Sequence, residues 1–154
     1  MGKIQERMQQ LGLTLPAAAK PVANYVPWVK AGKLVFISGQ IAMQGGQAQH
    51  VGQLGAGIEV AQGAAAARIC ALNVLAQLNE ACGGDLDKVA QVVKLVGFVN
   101  AAPHFTDIPK VVNGASDLMV EIFGEAGRHA RSAVGVAALP LGVCVEVEAV
   151  VELR

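Results

Sequence analysis

The side chains best suited to chemistry in this chain lie in its most apolar segment. Arg131 opens that segment, and Glu146, Glu148 and Glu152 follow within Val143–Leu153. Charged groups inside a hydrophobic strand cost free energy unless they are solvated, paired or used. The forked guanidinium of an arginine suits a carboxylate ligand, and a carboxylate can orient a water molecule and accept its proton. The alternative is an ion pair of Arg131 with Glu146 or Glu148 and no ligand.

The residues from Val143 to Leu153 alternate as a strand does. Odd positions are all apolar, whereas even positions are mixed, so the two faces of the strand differ. We expect the apolar face to lie under helices and the mixed face to be partly covered by another subunit. Residues of the mixed face are Cys144, Glu146, Glu148, Val150 and Glu152. The small-residue run after Arg131 predicts a second strand paired with this one through a turn at Pro140 and Gly142, which would bring Arg131 near Glu146.

The rest of the chain supplies the elements that must position these residues. The order of predicted elements is hairpin, helix, strand, helix, strand, which predicts an α+β fold with a single mixed sheet and two helices on one face. Residues 1–23 are predicted as an N-terminal helix and extended connector, and residues 24–154 as the main domain. The predicted elements are a hairpin over Asn24–Gln40, a glycine- and glutamine-rich loop over Ala42–Gly57, a helix over Ile58–Ala81 stopped by Gly83 and Gly84, a strand over Lys88–Asn100, and a helix capped by Asp107 or Thr106 that ends at Gly124.

Composition narrows the possible partners. Twelve basic and twelve acidic residues give a formal net charge of zero, so the chain lacks the positive field that nucleic-acid binding requires. Only 16% of residues are charged and 53% are hydrophobic, which favours association with another chain. Three widely spaced cysteines, no apolar run long enough to span a membrane and a polar N-terminus predict a cytoplasmic protein with no membrane contact.

Two segments of the chain together resemble a known family. "ARSAVGVAALPLGVCVEVEAV" (130–150) is similar to the signature of the RidA/YjgF family, also labelled endoribonuclease L-PSP, in which an Arg-Ser pair precedes Leu-Pro and two glutamates two residues apart. "YVPWVKAGKLVFISGQI" (25–41) is similar to the family's earlier Tyr-Val and Ser-Gly-Gln segments. The N-terminal segment looks like the extension of a longer branch.

The resemblance implies a fold, an assembly and an activity. It implies a chorismate-mutase-like fold and a homotrimer with ligand sites between subunits. The implied reaction is hydrolytic deamination of 2-imino or enamine acids to 2-oxo acids and ammonia, with no cofactor and no metal. His50, His104 and His129 also have no paired metal-ligand spacing, so surface or cap roles are expected for them.

The resemblance also assigns roles to particular residues. Arg131 matches the arginine that holds the substrate carboxylate, and Glu146 matches the glutamate that handles the attacking water. The other expected substrate-binding residues are Tyr25, Ser38, Gly39, Ser132 and Ala133. Ala133 stands where many members carry a cysteine, which removes thiol chemistry there. The link "AAPHF" (101–105) is less polar than is typical of the family.

Three functions are compatible with these features. The first is an imine/enamine deaminase, which needs both Arg131 and Glu146. The second is a non-catalytic protein that binds a small carboxylate between subunits, which needs only Arg131. The third is a ribonuclease, which the family label suggests and the zero net charge disfavours.

Overall fold

The chain folds into one principal five-stranded sheet with helices packed against it. The computed structural model describes all residues, 1–154. Its elements are α1 (Lys3–Gln10), β1 (Trp28–Ala31), β2 (Leu34–Ile41), β3 (Met43–Gln44), β4 (Gln47–Ala48), β5 (Gln53–Leu54), β6 (Gly57–Ile58), α2 (Val60–Ala81), β7 (Val89–Asn100), α3 (Ile108–Phe123), β8 (Ala130–Val136) and β9 (Val145–Leu153). The predicted α+β class, with one mixed sheet and two helices on one face, is confirmed.

The principal sheet has the strand order β1-β2-β9-β7-β8. Its pairings are antiparallel except for β7 and β8, which run parallel because α3 carries the chain from one to the other. The expected pairing of the strand after Arg131 with the final strand is therefore wrong. Strand β9 is already paired with β2 on one side and β7 on the other, so β8 occupies the outer side of β7.

Helices α2 and α3 cover one face of the sheet at close range. A Cβ atom on Gly97 of β7 would lie 2.5 Å from a methyl group of Val112 in α3. A Cβ atom on Gly114 would meet the backbone carbonyl of Ala64 in α2. Glycine is thus required at both contacts, because a side chain at Gly97 would push α3 away from the sheet and one at Gly114 would push α2 and α3 apart.

The helix termini mostly follow the sequence signals. Helix α2 begins with a capping box between Glu59 and Gln62 and ends before Gly83, whose φ is 67°. Helix α3 ends at Gly124, whose φ is 61°, as predicted. Asp107 occupies the N-cap position of α3, but its side chain makes no capping hydrogen bond.

The alternation of the final strand is confirmed within β9. Val145, Val147, Ala149 and Val151 are buried in the core, whereas the alternate residues are partly or fully exposed. Cys144 departs from the prediction: it lies before the strand begins and is buried in the core, so it does not contribute to the mixed face. The predicted loop over 42–57 also contains short ladders, one between β3 and β4 and one between β5 and β6.

The N-terminal segment packs against the rest of the chain. The Asp87 carboxylate accepts hydrogen bonds from the backbone N–H groups of Lys3 (2.9 Å) and Ile4 (2.8 Å) at the start of α1. These bonds lower the pKa of Asp87, because they stabilise its charged form. Met8 is buried in the core. No helix is both long and apolar enough to cross a membrane.

Candidate functional site

Glu146 lies on the face of the sheet that the helices leave uncovered. It stands opposite Ile41 of β2, next to a register shift between Ile37 and Gln40. A Cβ atom on Gly39 would lie 2.9 Å from Oε2 of Glu146. A side chain at position 39 would therefore require the Glu146 carboxylate to move from its present position.

The surroundings of Glu146 favour its protonated form. Burial of the carboxylate raises its pKa, and the negative charge of Glu148, two residues along the same face, raises it further. A carboxyl group whose pKa is raised holds its proton to a higher pH than an exposed glutamate does. A shift in this direction is a feature that many general acids and bases share.

Ser38 and the segment that carries Tyr25 are tied to the same end of the sheet. The Ser38 hydroxyl donates to the Val26 carbonyl (3.1 Å), and its backbone N–H donates to the Pro27 carbonyl (2.9 Å). Tyr25 is exposed and lines a cavity of about 70 Å³ together with Gln40. Gly39 therefore contacts Glu146 directly and Ser38 adjoins Gly39 in β2, whereas Tyr25 is connected to Ser38 through its neighbour Val26.

Arg131 lies elsewhere, on the opposite face of the sheet. Its Nη1 donates to Asn113 Oδ1 (2.8 Å) and Ser116 Oγ (3.1 Å), both on α3. Within one chain, Arg131 forms no ion pair with Glu146 or Glu148, because its guanidinium bonds to neutral side chains on the helical side. Asn113 and Ser116 belong to no recognisable motif, so their contact with Arg131 could not be predicted from the sequence.

The strand register explains this separation. Arg131 pairs with Leu95 of β7, whose side chain is buried under the helices. Glu146 pairs with Phe98, three residues further along β7 and therefore on the other face. Strand β7 lies between the two residues, so the expected closeness of Arg131 and Glu146 within one chain is wrong.

The two residues that follow Arg131 alternate between the faces. Ser132 pairs with Val96, on the same uncovered face as Glu146. Ala133 pairs with Gly97 and packs against the core on the helical face. Arg131 and Ala133 therefore share a face, and Ser132 does not.

The thiols and the possible metal ligands are not arranged around this site. Cys70, Cys82 and Cys144 are free and buried. Burial raises the pKa of all three, that of Cys144 to about 11, so each stays a neutral thiol at pH 7. No three His, Cys, Asp or Glu side chains converge as metal ligands would. The expectation of no cofactor and no metal stays a prediction.

Comparison with known proteins identifies the family. A family model described as YjgF/chorismate mutase-like matches residues 5–153. The chain belongs to the RidA/YjgF family. A solved structure of the protein Atu1372 of unknown function, from Agrobacterium tumefaciens, superposes with a TM-score of 0.92 and is 46% identical, covering 98% of this chain and 92% of that one.

Two curated relatives extend over nearly the whole chain. Protein TCP17 of Trypanosoma cruzi is 52% identical over 154 residues, which is 99% of this chain and 96% of the relative. A 2-iminobutanoate/2-iminopropanoate deaminase of Dermatophagoides farinae is 34% identical over 142 residues, which is 92% of this chain and 95% of the relative. The second name states an activity for that RidA/YjgF protein.

Proposed function

We propose that this RidA/YjgF protein hydrolyses 2-imino acids to 2-oxo acids and ammonia, at sites shared between the chains of a homotrimer. The observation that carries the proposal is the half-buried Glu146 carboxylate, seated against Gly39 with a raised pKa on the uncovered face of the sheet. The similarity to a 2-iminobutanoate/2-iminopropanoate deaminase supports the same reaction.

The reaction assigns a separate task to each charged residue. Arg131 binds the substrate carboxylate through guanidinium N–H groups that α3 does not use. Glu146 accepts a proton from water as the water oxygen forms a bond to C2 of the imine. That proton passes to the nitrogen and gives a carbinolamine. The hydroxyl proton of this intermediate is then transferred to the nitrogen as the C–N bond breaks, so ammonia leaves and the C2=O bond of the 2-oxo acid forms. Imine and water are consumed, and 2-oxo acid and ammonia are formed, with no oxidant or reductant.

The uncovered face supports a shared site. Within one chain, Arg131 and Glu146 lie on opposite faces with β7 between them. The uncovered face also exposes 46% of Phe36 and 44% of Val134, large apolar side chains that water solvates poorly. A second chain packed on this face would cover the apolar side chains and bring its own Arg131 to the first chain's Glu146.

A carboxylate-binding protein without catalysis is the second candidate function. It is favoured by one observation, namely that Arg131 is held by α3 with no contribution from Glu146. Ribonuclease action is disfavoured by the equal numbers of basic and acidic residues.

Mixed assemblies of two inactive variants test the shared site. We expect Arg131→Ala and Glu146→Gln each to lose 2-oxo acid release above the spontaneous rate, measured on freshly generated 2-iminobutanoate with a competing imine trap. When the two variants are unfolded and refolded together, about one quarter of sites regain both residues, because each site samples two chains independently. Glu152→Gln, which removes an exposed carboxylate from the same face away from Glu146, is the matched control and should retain turnover.

The outcomes separate the candidates. Activity regained on mixing supports a shared catalytic site, whereas mixtures that stay inactive place Arg131 and Glu146 of one chain in one site and contradict the proposal. A wild type that never exceeds the spontaneous rate but binds 2-oxobutanoate supports the binding protein instead. RNA cleavage that disappears in Arg131→Ala would support the ribonuclease.

A further inference from the structure

The guanidinium of Arg131 is held at one end only. Nη1 carries two hydrogens, and both are donated, one to Asn113 Oδ1 (2.8 Å) and one to Ser116 Oγ (3.1 Å). The hydrogens on Nε and Nη2 make no hydrogen bond within the chain. One Nε and one Nη2 hydrogen lie parallel along the same edge of the guanidinium, which is the geometry that binds a carboxylate through two bonds.

Ser116 is itself fixed by His129. Ser116 Oγ lies 2.8 Å from His129 Nε2, and His129 Nδ1 lies 2.7 Å from the Gly127 carbonyl oxygen. A carbonyl only accepts, so Nδ1 carries a hydrogen; in the tautomer with its single hydrogen there, Nε2 accepts the Ser116 hydroxyl proton. The Ser116 oxygen is then free to accept from Arg131. The donors at Arg131 Nη1, Ser116 Oγ and His129 Nδ1 are then each matched to an acceptor.

The backbone holds both ends of this network in place. Asn113 and Ser116 are three residues apart on α3, so their side chains lie on the same side of the helix. Gly127 is buried against the backbone of Met119 in α3, where a Cβ atom would meet the Met119 carbonyl. The carbonyl that orients His129 therefore has little freedom to move.

We propose that Asn113, Ser116 and His129 are positioning residues that hold Arg131 with its Nε–Nη2 edge presented to the ligand carboxylate. The inference rests on the proposed function for the identity of that ligand. Ser116 and His129 act through Arg131 and need not touch the substrate. Their removal leaves the charge of Arg131 intact and loosens only its orientation.

Such a role predicts an effect on binding and not on the chemical step. Loss of one neutral hydrogen bond corresponds to about 3- to 10-fold in affinity. We expect Ser116→Ala to raise the dissociation constant for 2-oxobutanoate and the KM for the imine by that factor, with kcat within about twofold of the wild type. Ser116→Thr retains the hydroxyl and should restore both values. Asp117→Asn, the neighbouring exposed residue of α3, is the matched control and should change neither.

His129 should act through Ser116 alone. We expect His129→Ala to weaken 2-oxobutanoate binding no more than Ser116→Ala does. The double variant should be no weaker than Ser116→Ala, because both substitutions interrupt the same chain of hydrogen bonds. Additive losses would show that His129 acts independently and would overturn that part of the proposal. Thermal unfolding of each variant identifies any that fail to fold.

A measurement without ligand separates this inference from the proposed function. In the unliganded wild type, nitrogen NMR of the Arg131 side chain should show distinct Nη1 and Nη2 signals, because the two bonds to Nη1 slow rotation of the guanidinium. These signals should merge in Ser116→Ala and remain distinct in Ser116→Thr and Asp117→Asn. Signals unchanged in Ser116→Ala would overturn the positioning role. If the signals merge but the wild type shows no turnover, the positioning role holds and the proposed deaminase fails.

Discussion

The two faces of the principal sheet differ in what covers them. On the helical face, Leu95 and Val147 are fully buried by side chains of the same chain. On the other face, Phe36 and Val134 remain exposed beside the partly buried carboxylate of Glu146. One strand, β9, contributes to both faces through simple alternation. The comparison indicates that the covered face sets the stability of the single chain, whereas the open face carries the groups that the proposed association and proton transfer would use.

The largest expected effect is a loss of stability from the covered face. Gly114→Val would place methyl groups against the Ala64 carbonyl, where even one Cβ atom has no room. We expect the free energy of unfolding to fall by about 3 kcal/mol, the upper part of the usual range for overpacking. Urea unfolding followed by circular dichroism measures the change. The control is Val134→Thr on the open face, and an equal loss there would erase the distinction between the faces.

An intermediate effect is expected on association. Burial of a phenylalanine side chain stabilises an assembly by about 1.5–3 kcal/mol, and a charge in its place opposes burial. Under the proposed trimer, Phe36→Asp should shift light scattering from about three times the 15.8 kDa chain towards a single chain, with far-UV circular dichroism unchanged. Val22→Asp, at a fully exposed valine outside the sheet, is the control. A wild type that is already monomeric would exclude the shared site.

The smallest expected effect concerns the pH dependence of stability. Because the folded state raises the pKa of Glu146, it favours the protonated form, and the wild type loses stability as pH rises through that pKa. Glu146→Gln avoids this loss, so its melting temperature at pH 7 should exceed that of the wild type by no more than about 4 °C. The difference should vanish below about pH 4, where glutamate is protonated even in the unfolded chain. A difference that grows on acidification would contradict the assigned environment of Glu146.

Local sequence pattern was sufficient to predict the main helices and strands and to tell the buried face of β9 from its exposed face. The alternation through Val145 to Leu153 identified the buried side of β9 because side-chain direction depends only on position along a strand. Helix ends at Gly83 and Gly124 were equally local, since each glycine adopts a positive φ. Two motifs indicated the family, and the resemblance then indicated the candidate site residues.

The order of the strands in the sheet could not be predicted from local sequence pattern. The segments that became β8 and β9 are close in sequence, and a Pro-Gly turn between them favoured a hairpin. β7 lies between them because the chain crosses over through α3, and this arrangement is set by tertiary packing and not by local sequence. The network around Ser116 and His129 was missed for the same reason. Their spacing of 13 residues has no meaning until α3 folds back on the start of β8.

Gly39 and Glu146 lie 107 residues apart in the sequence but are in contact in the structure. A substitution at one of these positions therefore affects which substitutions the other can accept. While the glutamate is present, a side chain at position 39 requires the carboxylate to move from its present position. Once the glutamate is replaced by a small residue, that steric restriction at position 39 disappears. The order of changes is consequently constrained: in a lineage that abandons this site, the glutamate should change first and the glycine afterwards.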